Sequence, residues 1–586
     1  MKYPTLYEQS NNREVVDVFK GYNHNLRIGD GEFFDMDNMT SDFYPVLSPR
    51  AKRCVFPEAV NPQGIIAKDS LCYVDGTKFV INGYPVDIGL STAADECPKQ
   101  LVSMGAYVII LPDKKWINTL DTTEFGNIEA SVTTSTDVSF ELCKIDGESY
   151  ENTTVSATEP EAPANMDLWM DTSSKPHVLK QYSETASMWV TVATTYVKIS
   201  STGIGKPFEQ YDGVTISGIL DESLADLNAS MTIWEKGDDF IVVVGILDEL
   251  VVQTTEEGSV TIKREMPAMD FVIESENRLW GCRYGIASNG EVVNEIYASK
   301  LGDFKNWNCF MGLSTDSYAA SCGTDGQFTG AITHLGYPLF FKENFVHKVY
   351  GSYPANFQIQ TTACRGVQKG CDRSLAIVNE VLYYKARSGV CAYDGSLPTE
   401  CSYALGNEAY SDAVGGAHGN KYYISMLDSV GICHLFVYDT AKQMWHKEDH
   451  FHARAFCSCG GDLYAIDDDT GKIVSMLGIG TTAYEDSVKW MVQTGEIGIS
   501  SPDMKYISRI TIRMAMDMGA KLHIYAQYDL DKEWIPVCDL VGTSLRSFSI
   551  PIRPRRCDHM KLRLEGEGMA KIYSITKTIE QGSELS

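Results

Sequence analysis

At 586 residues and 65.0 kDa the chain is longer than one hydrophobic core usually organises, so several domains, or one large repeat domain with attachments, are expected. Its 44% hydrophobic and 22% charged residues, with 31 Tyr and 48 Gly, exclude wholesale disorder and lean toward strands and tight turns. A net charge of −28 excludes a general nucleic-acid or anionic-membrane binder, whose phosphate affinity comes from clustered Lys and Arg.

Residues 1–20 are polar, without strong pattern, and read as an N-terminal arm. The opening MKYPTLYEQSNNREVVDVF lacks a basic end followed by an apolar core, and no apolar run approaches the roughly 20 residues that span a bilayer; synthesis in a cytoplasm and no membrane contact are expected. The 16 cysteines are scattered and are expected to be reduced, buried thiols. From Gly21, Asn25-Leu26-Arg27-Ile28 reads as a short strand, Gly29-Asp30-Gly31 as a turn, and Tyr44 to Leu47 as an edge strand broken by Pro45 and Pro49. Asp30, Glu32, Asp35 and Asp37 lack the spacing of a calcium loop and read as solvated turn acids.

This segment, with its N-L-R strand, acidic Gly-rich turn, Asp35-x-x-Asn38-Met39 and Ser48-Pro49-Arg50, resembles the opening of tailed-bacteriophage tail and neck proteins of the hub, nozzle and stabilisation type. The resemblance implies a β-propeller, a segment leading into its first blade, and a structural role. Residues 21–134 are then the first part of the propeller. Asp75-Gly76 and Asn82-Gly83 between apolar alternations mark hairpins over Gly64 to Val86, and Leu101 to Thr119 is a further strand pair.

Composition shifts near Ser131. Residues 135–210, rich in Thr, Ser and Glu, read as an inserted β-module, and 211–266 as a separate small β-barrel or sandwich. Trp169 and Trp189 could stack on a sugar, with service in the module's core as the plainer alternative. Residues 267–482 resume the propeller. The stretch Asn277 to Phe310 pairs two β-rich runs, Arg278 to Tyr284 and Asn294 to Lys300, about a turn at Gly285 and Asn289-Gly290. Later hairpin centres near Val390, Asp428 and Asp467 are spaced as four-stranded blades require, and about six or seven blades are expected, with the strand near Leu26 completing the last. His450, His452, Cys457 and Cys459 could suggest zinc, but on one strand the His and Cys fall on opposite faces. Asp467-Asp468-Asp469 reads as a turn. Residues 483–586 alternate apolar with polar and read as a C-terminal β-sandwich, with Arg553-Pro554-Arg555-Arg556 as a salt-bridged loop or subunit contact.

No GxxxxGK[ST], HExxH, GxSxG or paired CxxC is present, and Gly323 to Phe328 has neither the spacing nor the Trp of a sialidase Asp box. His334, His347 and His418 read as ordinary histidines. The expectations are an all-β propeller with inserted β-modules, no catalytic residues, no enzyme activity, no cofactor and no metal. By resemblance, the chain is a virion component of tail or neck, forming a ring of itself, six-fold favoured, beside other tail, neck or portal-associated proteins, with DNA met only in transit. The alternative is a distal tail protein that binds host glycan, or less plainly a propeller glycosidase.

Overall fold

The computed structural model describes residues 12–581 apart from 57, 151, 246, 248, 250–252, 258, 288–289, 501–503, 530 and 554. Residues 1–11 of the expected arm, the turn residue Asn289 and Pro554 lie outside the described residues. Strands hold 53% of residues and helices 3%, so the chain is all-β, built from many small sheets of which most are four-stranded. Two compact units divide it: residues 1–99, 340–346 and 361–586, and residues 100–339 and 347–360.

In the first unit a four-stranded sheet holds Pro62–Lys68, Ser70–Asp75, Lys78–Ile81 and Tyr84–Asp87. Its turns sit where Asp75-Gly76 and Asn82-Gly83 put them, with φ positive at Gly76, Asn82 and Gly83, the backbone that tight hairpins need. A further four-stranded sheet spans Ala376–Val378 to Thr399–Glu400, and the four strands from Ser411–His418 to Met444–Lys447 form one end of a 13-stranded sheet. Their central strands, VLYYKA and KYYISML, are buried almost throughout, as expected where both faces are covered. The sheet of Ala453–Cys459, Asp462–Asp467 and Lys472–Ser475 takes its fourth strand from the other end of the chain: Cys54–Phe56 lies antiparallel to Lys472–Ser475, Val55 opposite Val474. Phe56 there packs against the cluster of Tyr73, Val80, Ile466 and Ile473.

That corrects the expectation for Leu26. Asn25 to Ile28 is not a strand; Leu26 is 95% exposed, and the Asn25 side chain donates to the Tyr403 carbonyl at 2.9 Å in place of ladder pairing. Tyr44 to Leu47 is a turn rather than an edge strand, and the extended pair is Met39–Thr40 with Ser48–Pro49.

The motif residues of this segment form a buried clasp. Asn38, at φ 57°, accepts from Arg50 Nε at 2.7 Å and donates from Nδ2 to the Lys489 carbonyl at 2.8 Å. Arg50 also reaches Glu485 at 2.5 Å and Asp449 at 3.2 Å, while Arg53 holds Glu448 at 2.7 Å and Asp449 at 2.8 Å. The Arg53 guanidinium lies 4.8 Å from the Phe451 ring centroid. Charge-assisted pairs thus tie the opening segment to the loop leading into the last sheet and to the start of the C-terminal strands.

The C-terminal strands alternate buried and exposed residues. Ile507 to Met514 and Leu522 to Tyr528 belong to one 24-residue strand, Lys505–Tyr528, because Asp517 to Ala520 is a bulge where a turn is the simpler reading of the sequence. Lys489–Thr494 pairs with Glu32–Asp37, so these strands continue the sheet that holds Ser411–Lys447.

The second unit carries the sheet Gln100–Met104 to Phe125–Asn127 and that of Phe271–Ser275, Arg278–Ile286, Val292–Ala298 and Tyr318–Ser321. They share a core that includes Ile109, Trp116, Leu279 and Trp307. The two inserted stretches are not separate modules. Val138–Cys143 pairs with Tyr196–Ser200 and with Gln253–Glu256, and one core runs from Val138 through Phe208 to Ile262, so the boundary expected at 210 falls inside a single packed body.

Candidate functional site

In the first unit a polar cleft opens where Val381–Ala386 turns through Arg387 and Ser388 into Gly389–Tyr393. One lobe, about 310 Å³, is lined by Lys385, Glu400, Ser402, Glu408 and Tyr410. A second lobe, about 390 Å³, is lined by Glu343, Asn344 and Arg365, and Arg387 and Ser388 border both.

Lys385 is the penultimate residue of an otherwise apolar strand and is only 3% exposed. Its Nζ donates to Gln368 Oε1 at 2.8 Å and to the Ala386 carbonyl at 2.6 Å. Burial draws its pKa down, against the opposing pull of Cys371, Cys391 and Glu400. Arg365 donates to Glu400 at 3.1 Å, and Ser402 Oγ accepts from the Val390 N–H at 2.9 Å. Burial, then the nearby Glu408 carboxylate, pushes the Tyr410 hydroxyl up, keeping it a neutral donor. Cations, carboxylates and hydroxyls therefore alternate around a concave space. Such a lining suits a ligand with many hydroxyls and at most a balanced charge.

The sequence-predicted residues lie elsewhere. Trp169 and Trp189 do meet, ring centroids 5.5 Å apart and edge to face, from strands Leu168–Asp171 and Met188–Thr191, which flank Val178–Ser183 in one sheet of the inserted body. Trp169 is buried, donates to the Ser156 carbonyl at 2.9 Å and has the Lys180 ammonium over its ring at 4.6 Å, so it serves the core. Trp189 is half-buried against Tyr182. The strand expected from His450 to Cys459 begins at Ala453, so both histidines precede it. His450 bonds the Cys433 carbonyl at 2.8 Å, His452 lies 3.3 Å from Asp469, and burial pushes the Cys457 thiol up to about 12. Among the described residues no group of three or more His, Cys, Asp or Glu is placed to hold a metal ion.

Of the acids near the opening turn, Asp30 pairs with Lys577 at 2.8 Å, and Asp35 and Asp37 pair with Lys447 at 3.0 and 3.2 Å. Each has a cation partner; Asp30 nonetheless stays 64% exposed, as a solvated turn acid does, while Asp35 and Asp37 are half-buried. Asp467 is buried and accepts from Tyr484 at 2.8 Å. Arg555 pairs with Asp531 at 2.8 Å. His347 reaches Thr324 at 2.9 Å and His418 reaches Ser458 at 3.0 Å, while His334 is buried. The cleft escaped the sequence reading, although a lysine near the end of an otherwise apolar strand was a usable signal; YPLFFK carries one as well, the buried Lys342 at its last position.

No family model matches the chain, and no curated protein sequence does. Among solved structures it is similar to an exo-β-1,3-galactanase from Phanerochaete chrysosporium, at 10% identity over 52% of this chain and 94% of that one, TM-score 0.20. It is similar to the phage phi92 endosialidase, at 10% identity over 80% and 68%, TM-score 0.20. It is also similar to the Trypanosoma rangeli sialidase, at 8% identity over 97% and 96%, TM-score 0.21. All three are enzymes, and the expectation that this chain is not one is withdrawn on that finding.

Proposed function

We propose that the chain is a structural subunit of a bacteriophage tail or neck, assembling with copies of itself around the DNA exit path. The observation that supports it is the clasp: Asn38 and Arg50, which carry the resemblance to tail and neck proteins, bind the opening segment to the propeller sheet and the C-terminal strands. A subunit under mechanical load needs such cross-bracing. The net charge of −28 fits a surface that DNA must pass without adhering, since like charges repel. Mass spectrometry and electron microscopy of the purified particle test the reading. The chain is expected in the particle as a ring with an acidic lumen; its absence from the particle, or a strongly basic channel, overturns the proposal.

A second reading, capture or cleavage of a host glycan, is favoured by the mixed polar lining of the cleft at Lys385 and Glu400. A glycan array with the full chain, followed by product analysis on bound polysaccharides, tests it. Lys385→Met is expected to weaken retention by about tenfold, the loss of one charge-assisted hydrogen bond. Retention equal to wild type would remove the cleft from consideration.

A further inference from the structure

Strand Ile535–Ile550 is paired along one edge, with Lys505–Tyr528, so among the described residues its 16-residue outer edge has backbone donors and acceptors without a neighbour. Val541 is 72% exposed on it, and Met518, on the bulge of the partner strand, is 99% exposed. A long edge with apolar residues at its rim is a template for another chain unless something covers it.

The sheet's outward face adds charge. Arg13 stands opposite Thr578, which stands opposite Arg509; Arg513 lies between Ser574 and Ser547. These rows hold no carboxylate. Residues 483–586 contain 14 Lys and Arg against 14 Asp and Glu, so the entire net charge of −28 resides in residues 1–482. An arginine face on a neutral module is complementary to the acidic body of the same chain.

We propose that this face and the edge Ile535–Ile550 dock onto the acidic propeller part of a second copy. The inference rests on the ring reading above and supplies its contact. Arginine face cannot meet arginine face without repulsion, which disfavours a two-fold dimer through this surface. Unlike patches must meet, and a head-to-tail contact repeated from copy to copy closes a ring or grows a filament.

Analytical ultracentrifugation of the full-length chain tests this, with Arg509→Glu/Arg513→Glu and, separately, Val541→Asp. Thermal midpoints are checked first, since all three positions are exposed and the variants should fold. Wild type is expected to form species larger than a dimer that dissociate between about 0.05 and 0.5 M salt as screening shortens the reach of charge. The double variant and Val541→Asp should each weaken association at least about tenfold. Assembly unchanged in both variants overturns this interface and leaves the ring reading standing. A wild type monomeric at every concentration and salt overturns both. A DNA duplex retained through the same arginines, with no self-association, also overturns the proposal.

Discussion

Arg53 shows how much of the assembly hangs on one side chain. Burial alone would pull its pKa down, but the carboxylates of Asp449 and Glu448 more than reverse that and raise it. At 1% exposure, its loss would leave Glu448, itself 8% exposed, without its closest cation. Arg53→Met is expected to cost about 3–5 kcal/mol, the range for stranding a buried charge, and Arg53→Lys less, because an ammonium keeps the charge and loses the fork. Chemical denaturation followed by Trp fluorescence measures both. The pH dependence has a definite sign. Burial raises the Asp449 carboxyl, but Arg53 and Arg50 hold it below its ordinary 3.8. A carboxyl lowered on folding contributes fully above its unfolded pKa and loses that contribution as pH falls toward the folded one. The clasp should therefore be intact near neutrality and weaken only below about pH 4, and Arg53→Met should flatten that acid limb. None of this was legible beforehand: Arg50 and Arg53 stand hundreds of residues from their carboxylates, and chain spacing says nothing about pairs brought together only by the tertiary fold.

At the scale of strands, hairpins marked by their own turn residues were readable, because Asp75-Gly76 and Asn82-Gly83 fix φ locally. The same holds for Arg278–Ile286 with Val292–Ala298, whose β-rich runs announce themselves. Elements defined by distant partners were not readable. Cys-Val-Phe at 54–56 is too short to read as a strand, yet it is held on both edges, Val55 facing Val474 on one side and Thr482 on the other. Leu26 looked the better candidate only because its neighbours resemble a strand in isolation. Val55→Pro removes a backbone donor from a doubly paired strand and should destabilise by about 3 kcal/mol or more. Hydrogen exchange is expected to quicken over Ala453–Ser475 while Pro62–Asp87 keeps its protection; uniform loss across both sheets would show that they unfold as one. The merging of the two inserted stretches has a similar cause. Strands Tyr196–Ser200 and Phe240–Val244 pair across the position where composition changes, and pairing follows burial of apolar faces rather than composition.

For the whole molecule, the all-β class followed from alternation, and the recurrence of small antiparallel sheets from repeat spacing, since both recur along the sequence. The polar cleft did not, because it is assembled from turns of successive sheets, each ordinary alone. One feature of the architecture also bears on how the protein is made. Cys54 and Gly478, whose carbonyl accepts from the Cys54 thiol in the finished fold, are 424 residues apart. During translation the first of these emerges from the ribosome on the order of tens of seconds before the second. Through that interval the nascent chain carries an unmated strand, Cys54–Phe56, with Phe56 lacking the Ile466 and Ile473 surface that later shelters it. A truncated or stalled product would keep that strand permanently open, and would be a ready substrate for chaperones or for clumping with its own kind.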